Sequence, residues 1–396
     1  MKVLYVRNGI LGKDHYIVSE IEITRALREK GIDARLIVKK EKKPEESFII
    51  PLNVPFNKNR YFVLKLLFYL PFYVIKNGID YLVMDEKSVI PSLLLIILKS
   101  LLRLKIILDV RTVPVEQEKL SFQQRAAYKI SRAFLDGATF ITASTKEMCE
   151  TEYGLKFKKN TVYTSAVNEN LFTKDVEVKL DNKIIDVLKN HFVMIYHGSI
   201  TPNRGVTMVL DAINKLKDQI PDILFLSISD SNQFLQKYCE DNNLKLNDHI
   251  LYLDAADNSV MPQYIKLADI GVIPYIRIKW WEVSSPLKLM EYLSMELPIV
   301  MSDIKAHLDV VPEDSGFVVY FNPDKKDQLA EKILYAYKNL NELKSNTYKG
   351  RELVLESLTW SRQADKMIDF LQSFNNNIKP LKLGSDNKFF NVNPTS

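Results

Sequence analysis

Cysteine and histidine are scarce in this chain of 396 residues. The two cysteines, Cys149 and Cys239, lie far apart without partner spacing. That excludes a disulfide framework and a zinc-ligand pattern and fits a reducing compartment. The five histidines are scattered and form no metal-ligand pair, so no metal is expected. A GxGxxG fingerprint is missing after the first apolar run, which argues against a nicotinamide enzyme. No basic run is interleaved with stacking aromatics, so no nucleic-acid partner is expected. Long hydrophobic runs are also missing. Residues 61–75 are apolar but carry Lys65 and Pro71, and residues 89–102 are too short for a bilayer span and end at Lys99 and Arg103. Both read as buried or interfacial helices. The start, Met1-Lys2-Val3-Leu4-Tyr5-Val6 and then Arg7-Asn8-Gly9, reads as a short buried strand and a turn rather than a signal peptide, whose apolar core is longer. A cytoplasmic protein is expected.

What is present points to two domains, since 396 residues exceed what one core usually organises. Charge divides the chain in the same way. Residues 1–180 hold 30 Lys and Arg against 21 Asp and Glu, whereas residues 181–396 hold 24 against 28. A basic first half with apolar helices suggests a face that meets an anionic membrane surface or a phosphorylated carrier. The alternative is solvated, Lys-rich loops. Short apolar runs alternate with helical patterns throughout. In the first half, strands are expected at 3–6, 34–38, 81–84, 106–108 and 139–142, with helices at 19–30 and 122–135. Residues 162–172 read as a loop, and residues 173–189 as a polar stretch at the domain boundary. The pattern then restarts, with strands at 192–196, 223–228, 249–253, 270–274, 298–301 and 316–321 among helices. Apolar, non-alternating strands separated by helices imply parallel sheets covered on both faces. The fold class is therefore α/β, with two doubly wound, Rossmann-like domains facing across a cleft. The divisions are 1–175, 176–360, a closing helix at 361–375 that crosses back to the first domain, and a polar, mobile tail at 376–396.

Ligands bind such sheets outside the carboxyl ends of the strands, and two motifs sit there. The first is Tyr196-His197-Gly198-Ser199-Ile200-Thr201-Pro202-Asn203-Arg204-Gly205, between a strand and a helix. Gly198 lets backbone pass close to a ligand. Arg204 can fork onto phosphate oxygens beside the free amides of a helix start. The second runs from Trp280-Trp281-Glu282-Val283 through Ser285-Pro286-Leu287-Lys288 to Glu291-Tyr292. Ser285 followed by Pro286 reads as a helix start. Lys288 in the first turn is unfavourable there unless an anion sits nearby. Glu291, three residues on, shares its face and suits the vicinal hydroxyls of a ribose. Each motif has a plainer reading, a surface arginine in one case and a Lys–Glu helix pair in the other.

Taken together these motifs resemble glycosyltransferase family four, the retaining enzymes of the GT-B fold. Gly198…Arg204-Gly205 is similar to that family's glycine-rich loop, with Arg204 at a position usually held by Lys and Ser199 where Arg is common. Glu291 matches the second glutamate of the family's Glu-x7-Glu element. Val283 stands at the first by strict spacing, with Glu282 one residue early. Leu297-Pro298-Ile299-Val300-Met301 resembles the following strand, with Glu296 in place of the usual Gly, and Thr164-Ser165-Ala166-Val167-Asn168…Leu171-Phe172 resembles the domain junction.

The resemblance covers roughly residues 160–320. It implies transfer of a hexose-type sugar from a UDP- or GDP-linked donor to a glycan or lipid-linked acceptor, with retention and without a metal; no acidic pair of DxD-like spacing stands out at a strand end. It assigns Arg204 and Lys288 to the leaving diphosphate, and Gly198, Ser199, Glu282, Ser285, Pro286 and Glu291 to the donor. In the first domain, Gly12 is a candidate near the donor phosphates. His15, Asp109 and Arg111 are acceptor-side candidates, with a turn, a capping Asp and a surface Arg as the plainer readings. No cofactor beyond the donor is expected, and the protein is expected at the cytoplasmic membrane face. Alternatives are a non-catalytic, membrane-associated subunit on the same fold and a sugar-nucleotide epimerase.

Overall fold

The computed structural model describes residues 1–11, 17–40, 44, 46–54, 59–113, 120–325 and 327–374. Gly12, His15 and the polar tail at 376–396 lie outside the described residues.

Two all-parallel sheets organise the chain. The first contains β1 (Lys2–Ile10), β2 (Asp33–Lys39), β3 (Ile49–Leu52), β4 (Tyr81–Met84), β5 (Lys105–Val110), β6 (Gly137–Phe140) and β7 (Asn160–Val162), in the order β3-β2-β1-β4-β5-β6-β7. The second contains β8 (Phe192–His197), β9 (Ile223–Ser229), β10 (Ile250–Asp254), β11 (Ile270–Ile273), β12 (Ile299–Ser302) and β13 (Val318–Phe321), in the order β10-β9-β8-β11-β12-β13. The central strands are buried along almost their whole length, which is why they read as continuous apolar runs. In each sheet the strand order reverses beside the first strand, between β1 and β4 and again between β8 and β11. A crevice opens at such a reversal.

Four elements depart from the sequence reading. β1 runs on through Arg7, Asn8 and Gly9, expected as a turn, and its Ile10 still pairs with Lys39 of β2 after a register shift. β3 and β7 are short edge strands that the pattern did not reveal. β3 contains Pro51, tolerated because an edge strand has one side free of ladder bonds. The polar stretch before β8 holds a helix, Asn182–Lys189, whose one buried residue is Leu188.

One face of the first sheet is covered by helices Asn59–Asn77, Leu93–Leu102 and Phe122–Phe134, through Leu66, Leu70, Leu95, Ala127 and neighbours. The other face is covered by helix Val18–Glu29 and by helix Trp360–Gln372, which returns from the far end of the chain and buries Trp360, Met367 and Phe370. The two chain crossings are joined. Val167 and Thr359 form a parallel bridge, and the Thr164 amide donates to the Gln363 side chain at 3.0 Å. A second contact closes the cleft from the side. The hydroxyls of Thr142 and Thr145 both donate to the Val283 carbonyl, at 2.9 and 2.8 Å, and the Val283 side chain packs into the core of the first domain.

Candidate functional site

The loop after β8 supplies the first side chains. Gly198 (φ +103°) and Gly205 (φ +69°) both occupy the left-handed region, which side chains rarely adopt. A Cβ on Gly205 would lie 1.8 Å from the Pro274 carbonyl oxygen. The bare glycine thus lets the start of helix Val206–Leu216 press against the end of β11. That approach carries Arg204 to Tyr275, the second residue past β11, and the guanidinium donates to its hydroxyl at 3.1 Å. Trp281 stacks on Tyr275 with ring centroids 4.3 Å apart, and Arg204 lies over the Trp281 ring at 4.9 Å. The indole nitrogen donates to the Asn203 carbonyl at 2.7 Å, which fixes the loop.

Helix Leu287–Ser294 supplies the rest. Tyr292 anchors it by donating to the Ile195 carbonyl of β8 at 3.1 Å, over Gly271, where any Cβ would enter the ring. Lys288 is then buried, and its ammonium donates to the Tyr275 hydroxyl at 2.8 Å. It also lies 4.7 Å from the Tyr196 ring centre. A Cβ on Gly198 would stand 3.8 Å from that ammonium, so open backbone and buried cation share one corner. Glu291, one turn on, is buried beside His197, with 3.1 Å between Oε2 and Nε2. The angle is not that of a hydrogen bond, and neither atom makes one.

Two cations therefore converge on one phenol. Burial pushes the Tyr275 hydroxyl up, but the charges of Lys288 and Arg204 outweigh burial and hold it below its ordinary value. Among the described residues neither cation pairs with a carboxylate. Like charges brought together out of water repel, and an anion entering beside Gly198 relieves the repulsion. Behind Tyr275, His307 is fully buried. Its Nδ1 lies 2.7 Å from the Ser302 carbonyl, and burial, above all, holds the ring down to about 4.

Gly198, Arg204, Lys288 and Glu291 come together as the sequence suggested. Ser199 joins through its backbone, its carbonyl accepting from Tyr196 at 3.0 Å. Ser285 and Pro286 behave differently. Pro286 takes the cap position and the helix starts at Leu287. The Ser285 hydroxyl instead meets Thr164 Oγ1 at 2.7 Å and the Ser165 amide at 3.2 Å, joining the domains. Glu282 is turned away, bonded to Arg277 at 3.1 Å and to the Lys305 amide at 2.6 Å.

In the first domain, Asp109 accepts from Thr139 at 2.7 Å and from the Tyr163 hydroxyl at 3.0 Å. Arg111 donates to the Tyr163 carbonyl at 2.7 Å and lies over its ring at 4.3 Å. Both are buried at the carboxyl end of β5. Arg7 and Glu20 meet beside the crevice at 3.3 Å. Sequence reading missed His197, Tyr275, Trp281 and His307. His197 and Tyr275 had one signal each, a place just past an expected strand end, and Trp281 stood within a quoted motif without a role.

Residues 191–339 match the family model described as glycosyl transferases group 1. An uncharacterised glycosyltransferase of Methanocaldococcus jannaschii is 24% identical over 264 residues, 64% of this chain. The match spans 62% of that relative's length. Among solved structures, a glycosyltransferase from Rickettsia africae superposes with a TM-score of 0.75 at 16% identity, covering 95% of this chain and all of the other. The Anabaena protein HepE in complex with UDP-glucose superposes with a TM-score of 0.72 at 14% identity, covering 94% of this chain and all of the other.

Proposed function

We propose that this chain, whose residues 191–339 match the glycosyl transferases group 1 and whose fold is that of GT-B enzymes, is a glycosyltransferase that moves a hexose-type sugar from a UDP- or GDP-linked donor to a glycan or lipid-linked acceptor. The observation that carries this reading is the convergence of Lys288 and Arg204 on Tyr275 beside Gly198, at the reversal between β8 and β11. The donor diphosphate takes the place between these cations. As the sugar–oxygen bond breaks, negative charge grows on the leaving phosphate, and Lys288 and Arg204 stabilise it where it forms. This needs no metal. Glu291, its Oε2 buried against His197, would accept from the ribose hydroxyls through Oε1. Asp109 and Arg111, buried at the carboxyl end of β5 against Tyr163, would shape the acceptor side from beneath rather than touch the acceptor, and retention at the anomeric carbon is what the family resemblance implies.

A second reading has its own support. Val283 stands at the first glutamate of the family's Glu-x7-Glu element, and both it and Glu282 are engaged elsewhere. A subunit that binds donor without turning it over fits that feature. Incubation with UDP- and GDP-hexoses and a panel of lipid-linked acceptors, read by mass spectrometry and NMR, separates the two. Transfer or slow hydrolysis releasing the retained anomer supports the enzyme. An inverted anomer rejects the retaining mechanism, an epimerised sugar nucleotide makes the protein an epimerase, and binding without product supports the subunit.

A further inference from the structure

We infer that the outer side of the helical layer on the first domain is a docking surface for an anionic lipid bilayer. Helix Asn59–Asn77 buries Phe62, Leu66, Leu70 and Val74 inward. An ordinary surface helix would be polar on its other side. This one instead exposes Phe68 (75%), Phe72 (60%) and Ile75 (57%) at helical spacing. The neighbouring helix Leu93–Leu102 does the same with Ile97 (75%) and Leu101 (81%), and helix Phe122–Phe134 opens with Phe122 (79%). Large apolar side chains left in water over adjoining helices mark a surface that meets something apolar.

Charge identifies the partner. The three helices contain no Asp or Glu, yet they carry Lys and Arg. Lys76, Arg125, Lys129 and Arg132 are exposed, and the Lys76 ammonium sits over the Phe72 ring at 5.7 Å. Aliphatic stems beside apolar groups with ammonium heads outward suit the boundary between acyl chains and anionic headgroups. On the opposite face of the same sheet, helix Val18–Glu29 mixes Glu22, Arg25, Arg28 and Glu29. No helix among the described residues is long and apolar enough to cross a membrane, so the layer lies on the bilayer. These helices follow β3, β4 and β5, so each begins near a strand's carboxyl end. Phe122, at the start of its helix, stands at the cleft end of this layer, and Phe68, Phe72, Ile75, Ile97 and Leu101 lie further along their helices, towards the strands' amino ends.

The inference does not depend on the donor reading. It is tested by co-sedimentation of the full chain with vesicles of phosphatidylcholine alone and of phosphatidylcholine mixed with phosphatidylglycerol. The chain is expected to pellet with the mixed vesicles, weakly with the neutral ones, and less as NaCl rises. Phe68→Ser with Ile97→Ser, and separately Arg125→Glu with Lys129→Glu, are expected to weaken this about tenfold or more, with thermal unfolding and UDP or GDP affinity unchanged. The charge pair lies on a different helix from the apolar pair, so misfolding of one variant leaves the other decisive. Absence of pelleting, equal pelleting by the variants, or self-association of the wild type that Phe68→Ser abolishes would overturn the inference; the last would make the face a contact between two copies.

Discussion

Lys288 and His307 both flank Tyr275. Burial, above all, disfavours the His307 proton, and with the nearby Lys288 charge it outweighs the bond to the Ser302 carbonyl. The His307 ring is held to about 4, below its ordinary value of 6.5. Above about pH 6.5 it is neutral folded or unfolded and adds no pH dependence. Between about 6.5 and 4 the unfolded chain takes up a proton that the folded chain refuses. Stability should therefore fall with pH across that window, by about 3 kcal/mol in all. Urea midpoints from pH 7 to 4 should show this slope in the wild type and a shallower one in His307→Gln; equal slopes would count against it. Arg204, Lys288 and Glu291 were legible in the sequence because their signals are local, a glycine loop in one case and a charge in a first helical turn in the other. Tyr275, Trp281 and His197 were not, since their roles arise only where β8 and β11 lie side by side. Glu296 shows a departure with a physical reading. It stands where the family has glycine, and its φ of +53° is the strained left-handed conformation that glycine adopts freely.

Element against element, the site depends on how closely the helix after β8 approaches β11. Gly205→Ala places a methyl group inside the distance of a carbonyl oxygen, in a backbone conformation alanine resists. Helix Val206–Leu216 must shift or the loop must open. A cost of about 3 kcal/mol or more is expected, together with weakened UDP or GDP binding, from denaturant unfolding and titration on one preparation. Unchanged stability would mean that the packing is looser than the contact requires. The long apolar strands announced themselves in the sequence because both faces are buried. β3 and β7 did not, because an edge strand of three or four residues has neither the length nor the full burial that makes a pattern.

Over the whole molecule, the returning helix Trp360–Gln372 makes the first domain depend on the end of the chain. Phe370 packs edge-on against Phe374 at 5.2 Å and against the space left by Gly137, and Tyr81 donates to the Leu371 carbonyl at 2.9 Å. Phe370→Ala should cost about 3–5 kcal/mol. Hydrogen exchange should place the loss in the first sheet, far from it in sequence; a loss confined to the second sheet would contradict the shared core. Any opening of the two sheets would have to release the Thr142 and Thr145 hydroxyls from the Val283 carbonyl. The central claim is that Lys288 and Arg204 form the seat of a donor diphosphate. Isothermal titration of UDP and of GDP into the wild type, Lys288→Ala and Arg204→Ala tests it most directly. One diphosphate should bind the wild type, and each variant should bind it about ten- to a hundredfold more weakly, as expected for losing one charge-assisted contact. Wild-type affinity retained in both variants would contradict the account.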